Sequence, residues 1–106
     1  MAETMCVEKD DDCVYRITRT DSGEHIVSLR HRSEIGLVLG SSDWHYQHYE
    51  AALAGLEMFM VMHAWFRAIR FGQPVGELPK RAEAAVMKHN AICEQLGEKD
   101  LLRERQ

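Results

Sequence analysis

The stretch that most constrains this chain runs from Trp44 to Phe71, WHYQHYEAALAGLEMFMVMHAWFRAIRF, the longest uninterrupted block of helix-forming residues, with no proline and a single glycine, Gly55. Ser41, Ser42 and Asp43 stand before it, and each can accept a hydrogen bond from the free N–H groups of a first helical turn. Gly72 and then Pro74 follow in stop positions, and Arg67 and Arg70 suit the negative end of the helix dipole. The pattern predicts a helix over 44–71, about 42 Å long at 1.5 Å per residue.

Placed at helical spacing, its residues form two adjacent apolar stripes. One carries Ala51, Gly55, Met58, Met62, Trp65 and Ile69, the other Tyr49, Leu53, Leu56, Met60, His63 and Arg67. Only the stripe through Glu50, Ala54, Glu57, Val61, Ala64 and Ala68 is small and acidic. The apolar arc is wider than the roughly 100° stripe of a surface helix, so the helix needs covers on at least two sides. A membrane span is the rival reading. Glu57 and Arg67 would each cost about 2.5–3.5 kcal/mol near a bilayer centre, and the clean run Ala51–Phe66 falls short of the ~20 residues of a span, so no membrane is expected.

A chain of 106 residues and 12.2 kDa fits one domain with one modest core. The net charge of −4 argues against holding nucleic acid by bulk electrostatics and against adhesion to anionic lipid. No charged-then-apolar leader opens the sequence, and Cys6, Cys13 and Cys93 are odd in number and lack C-x-x-C spacing; both features suggest reduced thiols in the cytoplasm.

Residues 1–12 are polar and end in Glu8-Lys9-Asp10-Asp11-Asp12, which reads as a flexible, acidic, solvated tail ahead of a single domain over 13–106. In its sharper reading, Asp10, Asp11 and Asp12 seek a basic partner. Alternation then predicts strands: Cys13, Tyr15 and Ile17 on one face, then, after the turn Asp21-Ser22-Gly23, a second strand over His25–Arg30. Ile35, Leu37 and Leu39 suggest a third. After the long helix and a loop with Pro74 and Gly76, Pro79 opens a second, amphipathic helix carrying Ala82, Ala85, Val86, His89, Ile92 or Cys93, and Leu96. Gly97 stops it, and the short link makes the two helices antiparallel. The expected fold is α+β, a three-stranded antiparallel meander followed by a long central helix and a second antiparallel one. Three strands and one helix leave part of the 44–71 helix uncovered, so a second copy or another protein is expected on it.

No phosphate-binding, dinucleotide, nucleophile-elbow or zincin motif occurs. His45 and His48 have helical i, i+3 spacing, but Tyr49 and Ala52 beside them offer zinc no further ligand of the usual kind, so no metal or cofactor is expected. His63 has no serine, cysteine or carboxylate one helical turn away and reads as structural rather than catalytic. The cluster Trp44, His45, Tyr46, His48 and Tyr49 has the composition of a protein interface, with plugging of the sheet–helix junction as the competing reading.

The strand region also displays Arg16, Arg19, Arg30 and Arg32. With Tyr15-Arg16-x-x-Arg19, then Gly23, Leu29-Arg30 and Leu39-Gly40, the segment resembles the integrase-type DNA-binding domain, in which a three-stranded sheet enters the major groove with a helix behind it. The resemblance spans only Tyr15–Gly40, lacks that family's tryptophans near the first turn and runs into a helix of different length. It implies sheet-borne nucleic-acid binding as the alternative function. The first reading is a small, non-enzymatic protein-binding module, an inhibitor of a host or nucleic-acid-processing complex of the phage or anti-CRISPR type, by likeness of size and charge alone.

Overall fold

The computed structural model describes residues 2–9, 13–31 and 42–98. Four strands, β1 (Glu3–Lys9), β2 (Cys13–Arg19), β3 (His25–His31) and β4 (Ser42–Tyr46), precede two helices, α1 (Tyr49–Arg70) and α2 (Leu78–Leu96). The strands form one antiparallel sheet in the order β1-β2-β3-β4. β2 and β3 pair from Cys13↔His31 to Arg19↔His25, and the Thr20–Glu24 turn between them places Gly23 at φ 88, a left-handed conformation that glycine adopts without strain.

The α+β order was legible, but the strand count was not. Glu3–Lys9, assigned to a flexible tail, is instead the edge strand β1, in register with β2 from Glu3↔Arg19 to Lys9↔Val14. Its side chains are almost all exposed, so alternating burial leaves no mark on its sequence; pairing with β2 holds it in place. An irregularity between Thr4 and Cys6 interrupts the ladder, one way an edge strand is blunted against further pairing. The strand expected at Ile35, Leu37 and Leu39 lies outside the described residues, as do Asp10, Asp11, Asp12 and Arg32.

The second correction concerns the start of the long helix. Trp44, His45 and Tyr46 belong to β4, opposite Val27, Ile26 and His25 of β3, and the helix begins at Tyr49. Aromatic residues suit a pleated surface as well as a helix, and here the open edge of β3 takes them. Asp43 faces Arg30 across the strands rather than capping a helix.

One face of the sheet supplies Cys13, Tyr15, Ile17, Val27, Leu29 and Tyr46 to the core, and α1 lays Ala51, Ala52 and Leu56 against them. Tyr15, Ile17 and Val27 are completely buried. Small residues let α1 approach closely, most clearly at Gly55, where an added Cβ would lie 2.9 Å from Cζ of Tyr46. The second helix is the expected neighbour of the first. Pro79 sits in its first turn, Gly97 ends it at φ 71, and Lys88 bridges to Glu57 of α1 at 3.1 Å.

Beyond Met58 only Ala68 of α1 is fully buried. By length and composition α1 does reach the threshold for crossing a membrane, contrary to the estimate from the Ala51–Phe66 run, although the core helix of a soluble protein passes the same test.

Candidate functional site

The aromatic segment at the β4–α1 junction is divided by the fold. Tyr46 is 2% exposed, which corrects its assignment as a surface anchor. Trp44 is half-buried and stacks on Phe59 with ring centroids 3.8 Å apart. Tyr49 meets the buried His25 edge-on. Strand alternation explains the split: Trp44 and Tyr46 point toward the helices, while His45 points to the open face and pairs with Glu24.

His48 is the residue at the helix entry, with no side-chain cap of its own. Glu98, just past α2, binds the two residues that lead into the helix. Its carboxylate accepts the backbone N–H groups of Gln47 at 3.1 Å and His48 at 2.6 Å, and lies 2.8 Å from Nδ1 of His48. The Glu98 side chain is only 3% exposed. A buried carboxylate at a helix N-terminus is favoured by the N–H groups and by the dipole together. No sequence rule connects positions 48 and 98, so this clamp was not visible beforehand.

A second polar cluster lies alongside. Tyr46 Oη is 2.9 Å from Nε2 of His89, whose Nδ1 is 3.0 Å from Oδ1 of Asn90. The same Nε2 is 3.6 Å from Sγ of Cys93, one turn along α2. The Asn90 carbonyl oxygen can only accept, so Nδ1 of His89 carries the proton and Nε2 offers its lone pair to Tyr46. Burial pushes the Tyr46 hydroxyl well above its ordinary value, and the charges of Cys93 and Glu98 add to that. Burial and then Glu98 likewise raise the Cys93 thiol. In the sequence His89 and Cys93 stand out only as positions on the apolar side of an amphipathic helix.

Nδ1 of His63 shares a 2.8 Å hydrogen bond with Oη of the buried Tyr15. Among the described residues, no group of three or more histidine, cysteine, aspartate or glutamate side chains is placed to hold a metal.

The arginines do not share one face. Arg16 alternates outward, opposite Ser28 and Val7; Arg19 has the parity of the buried set and pairs with Glu3. Arg30 is bound by Asp43 at 2.9 Å, and that bond holds the Asp43 carboxyl below its usual range. Large apolar side chains are exposed on β1, at Met5 and Val7, and more strongly at the far end of α1. Phe66, Ile69 and Phe71 are 52%, 58% and 64% exposed, and Met87 of α2 is 65% exposed. Trp65 and Phe66 stack, and the guanidinium of Arg70 lies 5.8 Å from the Phe71 ring centroid.

Comparison with models of known protein families, with curated proteins and with solved structures finds no match to the chain.

Proposed function

We propose that this chain is a small non-enzymatic binding module that docks on another protein through the end of its helical hairpin. The observation that carries this reading is the exposure of Phe66, Ile69 and Phe71 within six residues of the α1 C-terminus. Three large apolar side chains held in water at one place are costly unless something covers them, whereas scattered ones are ordinary. Arg70 beside Phe71 adds a cation to the aromatic surface, the pairing found at interface hot spots. The docking surface is thus the C-terminal end of α1 rather than the 44–49 segment, where Tyr46 is buried and Trp44 stacks on Phe59. Inhibition of a host or nucleic-acid-processing complex is the activity we assign to such docking, on the chain's small size and net charge of −4.

Affinity capture from lysate, with and without nuclease, tests the reading when wild type is run beside a Phe66→Ser, Ile69→Ser, Phe71→Ser variant. A nuclease-resistant protein partner should be retained by wild type and lost by the variant, since truncating hot-spot residues costs ~2 kcal/mol or more each. Undiminished capture by the variant would refute the docking surface. Nuclease-sensitive capture, together with affinity that falls steeply with salt, would favour the sheet-borne arginines instead.

A further inference from the structure

The basic side chains are unevenly spread along this chain. From Phe66 to Arg81, across the end of α1, the connecting loop and the first turn of α2, stand Arg67, Arg70, Lys80 and Arg81 against Glu77 alone, although the net charge of the whole is −4. The loop folds back on itself: the N–H of Gln73 donates to the carbonyl of Ala68 at 2.8 Å, and that of Leu78 to the carbonyl of Val75 at 2.9 Å. The two helix ends are thereby held at one end of the hairpin. Arg70, Lys80 and Arg81 are exposed there, as are Phe66, Ile69 and Phe71. This end of the molecule is therefore apolar and basic at once.

We infer that the partner in the docking reading above, on which this inference rests, is a protein surface with carboxylates set around an apolar pocket. Phe66, Ile69 and Phe71 enter the pocket, while Arg70, Lys80 and Arg81 meet the carboxylates, which select the partner and speed its encounter. A second copy brings the same cations to the contact and is the poorer match. A bilayer of anionic lipid is uniformly negative and repels Glu77, exposed on the same loop, whereas discrete carboxylates can leave it room.

Two labelled helical peptides, with leucine along one face and either glutamate or lysine over the rest, test this by fluorescence anisotropy beside vesicles of phosphatidylcholine and phosphatidylserine. Wild type should bind the glutamate peptide about tenfold tighter than the lysine peptide, and the gap should close at high salt. Lys80→Glu with Arg81→Glu, its fold checked by a melting curve, should reverse the order. Equal binding of the two peptides, binding of neither, or preference for the vesicles overturns the acidic partner. The Phe66→Ser, Ile69→Ser, Phe71→Ser variant separates the two claims. If it binds the glutamate peptide as wild type does, the docking surface itself fails. If it loses the nuclease-resistant lysate partner while Lys80→Glu, Arg81→Glu retains that partner in full, the docking surface stands and the acidic partner fails.

Discussion

Among the described glycines, Gly55 is the one against which a side chain packs, that of Tyr46. On an isolated helix, Gly→Ala would gain up to about 1 kcal/mol. Here the new methyl meets a ring that is buried and hydrogen-bonded to His89, so it has nowhere to swing. Gly55→Ala is therefore expected to destabilise the protein by about 1–3 kcal/mol, the usual cost of overpacking, as measured by urea unfolding. Tyr46 also makes an alkaline prediction. Its hydroxyl is pushed up in the native state, so its contribution is complete below the unfolded value of about 10 and is lost as pH rises from there through the higher native value. Unfolding curves between neutral pH and pH 11 should show stability falling above about pH 10, with a shallower fall in Tyr46→Phe.

Among the elements, the junction between β4 and α1 is held by a residue fifty positions away. Glu98 keeps its full hydrogen-bonding geometry only while the end of α2 stays docked beside the start of α1, so the clamp couples the two helices. Glu98→Ala is expected to cost about 1.5–3 kcal/mol, the range for hydrogen bonds to a charged group. Faster amide exchange at Gln47 and His48 should accompany that loss, and exchange unchanged from wild type would show that the clamp does not hold the helix start.

For the whole molecule, the sheet and α2 cover α1 fully only at its N-terminal half, so among the described residues the most exposed apolar side chains of α1 and its cap gather at its C-terminal end. Self-association through that end is expected where no partner competes. Light scattering at rising concentration should give a mass above 12.2 kDa, and Ile69→Glu with Phe71→Glu should restore the monomer. A wild-type mass fixed at 12.2 kDa at every concentration would count against it.

Local pattern alone determined β2, β3, their turn and the whole of α2, because alternation, Gly23, Pro79 and Gly97 each act within a few residues of themselves. It also placed the C-terminal end of α1, where Gly72 follows the arginines. Tertiary structure decided the rest. Trp44–Tyr46 have propensity for either state, and the vacant edge of β3, a long-range partner, selected the strand. β1 has too little burial to mark its sequence, so only β2 reveals it. The Glu98 clamp and the Tyr46–His89–Cys93 cluster join residues more than forty positions apart, a distance over which side-chain spacing carries no information until the helices have packed.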